Sequence, residues 1–497
     1  MHHVVLFATA VFVGQVIEGT NVAFAVLTAT YTLLWAKAFN VAGGIRYPSG
    51  AFIFFNGFIS VIIGLGFKVL LGQPGERNLH VPITTMSCYC IGMAALLVAA
   101  FLCRGLRREV GFLPGFDSLA GMRQAAIICL LCGIFIMPLI ALGGSSPIIS
   151  ALRQINKMPT MAIMLATTYE VRRSGGKRAV NWIVVTAVGF SFVVGLISFG
   201  KEGMLIGFVA WFFAAVLQGY DFKPQQLVVS ALAMAFFVYY LVPYSQYVRN
   251  FHGATFAENE AVALHYLSDL GETRRLYEDG IAAYDITDEF HLYDKREAFM
   301  DRLIVIPADD ALIEYTDRGN VYGLSPTVLA YSNLVPRIIW QNKPTGNTGN
   351  SYGHEIGILA DEDATTGIAF SATADAYHQA KWLGLLLLLP VDLFLYFIIF
   401  DSIVGSAKSA PWALIPILDL SEIGPDGGLD GPIYSMTYGI FAILVIFWIV
   451  KYLAPLIMRT SRRGNFAKVN SPLRRMSPSL HRSVTIPAPT SDRNTHV

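Results

Sequence analysis

The chain is built from apolar stretches of membrane-crossing length, one after another, and this constrains its fold more than any other feature. A hydrocarbon core of about 30 Å takes roughly 17 to 25 apolar residues per helix. That window predicts spans near 3–17, 20–39, 50–71, 83–103, 123–142, 157–171, 179–199, 203–219, 224–243, 381–402, 409–421 and 432–456. Three of these are less regular. The first is short, the sixth contains Thr167 and Thr168, and the eleventh carries Pro416 and runs into Asp419, so it is expected to be kinked or re-entrant. Composition agrees: 54% of the 497 residues are hydrophobic and only 14% charged, against about 25% in soluble proteins. Too few charges remain to coat a cytosolic enzyme of this length. The expected class is an all-α polytopic membrane protein with about twelve transmembrane helices.

The near-zero net charge of +1 hides a division. Residues 244–380 hold 21 Asp/Glu against 9 Lys/Arg, net −12, and the rest of the chain nets +13. The basic connections (Arg104, Arg107 and Arg108; Arg172, Arg173, Lys177 and Arg178) and the basic tail beyond Arg459 fall on one side if twelve spans are counted. By the positive-inside rule that side is the cytoplasm. Both termini are then expected inside, with the tail near anionic headgroups. The start of the chain lacks a basic n-region and a small-residue cleavage site, so Val4 onward reads as a retained span. The organisation predicted is an N-terminal bundle over 1–243, an extracytoplasmic cap over 244–380, C-terminal spans over 381–458 and a disordered basic tail over 459–497. Within the cap, apolar spacing predicts amphipathic helices over Ala257–Leu276 and Tyr293–Ile306.

Several kinds of chemistry are excluded by missing motifs. There is no GxxxxGK[ST] phosphate loop, no GxGxxG fingerprint and no HExxH zinc site, and nothing suggests nucleic-acid binding. The five cysteines (Cys88, Cys90, Cys103, Cys129 and Cys132) fall in or beside apolar stretches and read as polarizable packing residues.

What remains lies on the cap side. Lys201, in the turn "SFGKEG", sits between two spans, where it either snorkels beside Glu202 or presents a cation to a phosphate. The run "LVPRIIWQNKP" carries Arg337, Trp340 and Lys343; Tyr352, His354 and Glu355 follow. "TGIAFSATADAYH" then brings Asp375, Tyr377 and His378 to the edge of a span. Arginine suits bidentate phosphate recognition and lysine acts as a point charge. His354, His378, Glu355 and Asp375 are each candidate general bases.

The order of these features resembles the O-antigen and exopolysaccharide repeat-unit polymerases (Wzy-type), in the wider group that includes the O-antigen ligases. The resemblance rests on the span layout, the large outer loop before the last spans, "PRIIWQNKP", "GIAFSATADAYHQAKWLG" and the "SFGKEGML" turn. Lys201 stands where that family commonly has arginine. Asp375 and His378 combine an acid typical of polymerases with a histidine typical of ligases. The resemblance implies glycosyl transfer between polyprenyl-diphosphate-linked oligosaccharides, donor and acceptor, at the outer face of a bacterial inner membrane. A chain-length regulator protein is an implied partner. Lys201, Arg337, Lys343, Arg249 and Arg302 would hold the diphosphate. One of His378, Asp375, His354 or Glu355 would take the hydroxyl proton, and Trp340, Tyr352 and Tyr377 would offer faces to sugar rings. No metal or other cofactor is implied, since cations supply the charge. An O-antigen ligase and a twelve-span transporter, for which Asp392 in the tenth span gives some support, remain as alternatives.

Overall fold

The computed structural model describes residues 2–116, 118–142, 149, 152, 156–251, 253, 255–283, 290–294, 300–335, 340, 342, 346–364 and 366–452. Met1–Ala454 clusters as one compact unit. Among the described residues there are helices and turns but no named strand, only the isolated bridges Val110–Gly405 and Phe370–Gly427.

Seventeen helices are named here. The first five are α1 (His2–Ile17), α2 (Val22–Val41), α3 (Pro48–Leu70), α4 (Pro82–Leu106) and α5 (Leu119–Leu142). Then come α6 (Met158–Ser174), α7 (Trp182–Ile197), α8 (Lys201–Leu217) and α9 (Pro224–Phe251). The acidic segment supplies α10 (Phe256–Leu267), α11 (Leu270–Ala283), α12 (Ile306–Asp317), α13 (Ser325–Ser332) and α14 (Thr348–Glu355). The chain continues with α15 (Ala372–Val404), α16 (Leu414–Asp426) and α17 (Asp430–Tyr452). Among the described residues seven helical stretches are long and apolar enough to cross a membrane, in α2, α3, α4, α5, α9, α15 and α17. The protein is therefore all-α and of membrane-embedded character.

Side-chain chemistry at the helix ends explains where these helices start. Proline opens α3, α4, α6 and α9, where its missing N–H removes one donor that would lack a partner. Asn21 and Asn181 cap α2 and α7 by accepting backbone N–H groups. Pro416 falls in the first turn of α16, where proline is tolerated, and the helix runs on unbroken through it to Asp426. A 3-10 turn, Pro411–Ala413, precedes it, so the 409–421 segment is not one continuous α-helix.

The connections gather at two ends of the helices. At one end, Arg107 donates to the Ala42 carbonyl, Ala407 N–H to Arg46 at 2.8 Å, and Ser406 N–H to Glu109 at 3.1 Å. Gln218 and Arg172 reach the carbonyls of Ala407 and Lys408 at 2.9 and 2.6 Å. This is the arginine-rich end. At the other end, Asn21 N–H donates to Glu76 at 2.8 Å, Arg77 pairs with Asp294 at 3.0 Å, and Asp310 accepts from Thr85 at 2.6 Å. There the acidic segment is seated.

Two expected cap helices differ from the prediction. Ala257–Leu276 is divided into α10 and α11 around Ser268 and Asp269, because Asp269 caps α11 by accepting from Glu272 N–H at 2.9 Å. Tyr293–Ile306 is not an amphipathic helix among its described residues. It carries a single 3-10 turn, Met300–Arg302, and α12 begins only at Ile306, with Pro307 in its first turn. Tyr293 and Ile304 pack instead against Phe67 and Gly64 of α3.

A close backbone approach governs α15. Ala380 and Lys381 leave helical geometry (φ −153° and +48°), so Ala372–Gln379 turns back against the helix that follows. Gly384 then lies directly on the Ala376 carbonyl, where a Cβ has no room. Gly384→Ala is expected to cost about 1–3 kcal/mol by overpacking. The check is the thermal midpoint of the detergent-solubilised protein, and an unchanged midpoint would refute the close approach.

Candidate functional site

The first two turns of α15 form the centre of a buried polar cluster. Ser371 caps them by accepting from Ala374 N–H at 3.1 Å, and every residue from Ala372 to Gln379 is buried. Small alanines at 372, 374 and 376 let neighbouring elements close in. The polar residues Asp375, His378 and Gln379 must then find partners inside the protein.

Asp375 finds three donors. Its carboxylate accepts from Tyr352 Oη and Gln379 Nε2 at 2.8 Å each, and from Leu429 N–H at 2.8 Å. Gln379 is held in turn by Thr327 at 2.7 Å. His378, wholly buried, lies between Thr316 and Glu355. The Thr316 hydroxyl donates to the Leu312 carbonyl at 2.7 Å, so toward His378 Nδ1, at 2.8 Å, it can only accept. Nδ1 therefore carries a proton. Nε2 faces Glu355 Oε2 at 2.9 Å, and that contact needs one proton shared between imidazole and carboxyl. Tyr352 packs edge-on to His378 with centroids 4.6 Å apart.

The cap supplies two further carboxylates from α12. Asp309 accepts from Tyr89 at 2.6 Å and from Ser371 N–H at 2.9 Å. Burial, opposed by these bonds and reinforced by Asp375, lifts its carboxyl to about 7. Asp310 accepts from Thr85 and from the N–H groups of His80 and Val81, and burial raises it as well. The pair binds the cap to α4 and to the start of α15.

Beside Asp375 a cavity of about 380 Å³ opens. Tyr352, Asn347, Thr348 and Tyr434 line it with three carboxylates, Asp375, Asp426 and Asp430. Glycines at 346, 349, 367, 427 and 428 bring backbone to its wall. Gly428 takes φ +56°, which turns the chain so that Leu429 N–H reaches Asp375. Thr348 donates to Asp430 at 3.0 Å. Burial raises Asp426 to about 6, and attraction to Lys201 opposes that rise.

The expected site residues thus separate. Asp375, His378, Glu355 and Tyr352 come together, and Lys201 stands at the start of α8 beside Glu202, the two bearing on Asp426 with opposite sign. Close packing of Gly195 against Gly203 and Met204 makes that α7–α8 turn possible. His354 faces away, with Nε2 on the Asp363 carbonyl at 2.9 Å. Tyr377 donates to Asp317 at 2.5 Å, outside the cavity. Arg249 is exposed at the end of α9, Arg302 lies in the 3-10 turn before α12, and Trp340 is exposed. Arg337 and Lys343 lie outside the described residues. The cysteines are free thiols, four of them buried.

Sequence reasoning missed Asp309, Thr316, Asp426 and Asp430. The last two carried a signal, since "GPDGGLDG" at 424–431 sets two acids among glycines between apolar stretches. Compared with known proteins, the chain matches no protein-family model, no curated protein and no solved structure.

The Asp309 environment has a pH consequence. Its carboxyl sits at about 7 in the folded protein against an ordinary 3.8, so folding favours the neutral acid. Its contribution to stability is full below pH 3.8 and is lost as pH rises through about 7. Asp309→Asn is therefore expected to raise the thermal midpoint at pH 8 relative to wild type more than at pH 4, and to flatten the dependence between. Parallel wild-type and variant curves would refute this.

Proposed function

We propose that the protein is a membrane glycosyltransferase that polymerises polyprenyl-diphosphate-linked oligosaccharide repeat units, for an exopolysaccharide or O-antigen, at the outer face of a bacterial inner membrane. In this reading the chain crosses twelve times, the arginine-rich end faces the cytoplasm with both termini, and the acidic cap faces outward. The alternation of connections between a basic and an acidic end supports that orientation. The observation that carries the functional reading is the carboxylate-lined cavity at the junction of cap and helices. A substrate anchored in the bilayer can bring its first sugars there without leaving the membrane.

The chemistry follows from the groups present. An acceptor hydroxyl attacks the anomeric carbon of the donor, the bond from that carbon to the diphosphate oxygen breaks, and the hydroxyl proton passes to a carboxylate. Asp375 is the acceptor best placed on the cavity wall, and its three donors hold it in one orientation. His378 and Glu355 hold their shared proton behind Tyr352, which makes them positioning residues in this scheme. Three carboxylates repel a diphosphate, so the leaving group sits toward Lys201, whose charge stabilises it as it departs. Tyr434 lines the cavity beside the sugar, and Tyr352, buried, holds Asp375 in place through its hydroxyl.

The test is a deletion of the gene with complementation. Loss of long surface polysaccharide while single repeats are still exported supports polymerisation. Loss of all repeats on lipid A would reassign the protein as a ligase, and unchanged polysaccharide would overturn both. Asp375→Asn is expected to lower polymer output about 10²–10⁴-fold at normal protein level, the usual weight of a general base. Output unaffected by this change and by Lys201→Met would overturn the residue assignment.

A further inference from the structure

Within the acidic segment the run 319–336 holds eighteen residues without a charge, the longest such run between positions 244 and 380. α13 lies in the middle of it. Its inward face, Pro326, Thr327 and Ala330, is buried, and its polar side chains bond inward. Thr327 donates to Gln379 at 2.7 Å, Tyr331 to Asp392 at 2.5 Å, and Asn333, just past the helix, to Tyr434 at 2.6 Å. The Ser332 hydroxyl folds back onto the Leu329 carbonyl at 2.6 Å. The opposite face is apolar and open. Leu324, at the N-cap, and Val328 stand four residues apart, on one side of the helix, and are 52% and 64% exposed. Leu334 and Val335 beyond it are exposed as well.

The bonds to α15 and α17 fix how deep this element lies. α15 ends at Val404, where Ser406 and Ala407 join the arginine-rich connections. Asp392 is twelve residues back from that end, about 18 Å along the helix. That leaves about 12 Å of a hydrocarbon core about 30 Å thick between Asp392 and the cap-side boundary. Its neighbour Val391 is exposed on the α15 face that also shows Leu383, Leu387 and Leu395, spaced every four residues, as a face toward acyl chains requires. Asp392 itself is only 5% exposed. A carboxylate at that depth is costly unless it is covered and bonded, and Tyr331 supplies a donor. Tyr434, the partner of Asn333, is four residues into α17 from Asp430, about 6 Å along it. α13 therefore packs against the spans below the level at which they emerge. An element placed there must satisfy its polar groups within the protein and turn apolar side chains outward, as α13 does.

We propose that α13 is seated in the acyl region of the cap-side leaflet, with Leu324, Val328, Leu334 and Val335 against lipid chains. Its open face then continues the open face of α15, which it meets at Gln379 and Asp392, and one lipid surface covers both. The acidic segment is held at the membrane by this insertion as well as by its seat on α4, and α13 enters the leaflet without crossing it. The inference needs a bilayer around the spans and does not rest on the glycosyl-transfer reading.

The test uses the full-length chain in lipid nanodiscs, spin-labelled at a single introduced cysteine, with the signal of the labelled parent chain subtracted. Collision of the label with molecular oxygen, which concentrates among acyl chains, is compared with its collision with a water-soluble nickel chelate. Val328→Cys is expected to favour oxygen, in line with Leu387→Cys on the open face of α15. Glu362→Cys, exposed on the cap, is expected to favour the nickel chelate, so the ratio of the two collision rates inverts between the positions. Should the Val328 variant fail to fold, Leu324→Cys gives the same reading. A label on α13 that favours the nickel chelate would put the helix in water. One sheltered from both reagents would put a protein chain over it, from this molecule or another. Either result would overturn the proposal.

Discussion

The seating of two adjacent carboxylates against a long apolar helix is the constraint on which the cap depends. Asp309 and Asp310 are fully buried, and a buried carboxylate persists only where donors replace its water. Those donors come from α4 and its entry (Tyr89, Thr85, His80 and Val81) and from Ser371 at the start of α15. The acidic segment therefore cannot drift over the helices as a tethered domain. Lifting it would expose α4 donors and two carboxylates together. The same contact sets the position of Ser371, and with it the short helical stretch that carries Asp375 and His378.

From that anchor the site assembles by successive satisfaction of polar groups. Burying Ala372–Gln379 obliges Asp375 to recruit Tyr352 from α14 and Leu429 N–H from the turn between α16 and α17. These two contacts bring α14 and the 427–430 turn to opposite sides of one cavity. His378 similarly draws Thr316 and Glu355 together. Charge within this region is divided. Carboxylates line the cavity, and Lys201 and Glu202 bear on Asp426 with opposite sign.

Much of the architecture was legible in the sequence. The described residues are helical throughout the apolar stretches, seven of these helices are long and apolar enough to cross a membrane, and basic connections around Arg107 and Arg172 meet at one end. Tyr352, Glu355, Asp375 and His378 stood among the candidates the sequence offered, together with Trp340, His354 and Tyr377, because polar residues crowded beside a span must either line a site or pair with one another. Other expectations failed for local reasons. Apolar spacing over Tyr293–Ile306 mimicked an amphipathic helix, but Tyr293 and Ile304 pack against α3 and the described residues carry only the 3-10 turn Met300–Arg302. His354 and Tyr377 lie one residue from Glu355 and His378, and on a helix one residue turns a side chain by about 100°. Each therefore faces a partner outside the Asp375–His378 cluster, Asp363 for His354 and Asp317 for Tyr377.

Hydropathy and charge are properties of short windows, and what depends on them alone was determined by the sequence: a helical chain of membrane-embedded character, with its acidic residues concentrated in one segment. Which polar groups share a site depends on pairing across long separations. Tyr89 meets Asp309 across 220 residues, and Leu429 meets Asp375 across 54. No local pattern encodes such pairs. They form because a buried carboxylate must be satisfied by whatever donors the packed helices bring to it, and only the tertiary structure decides which those are.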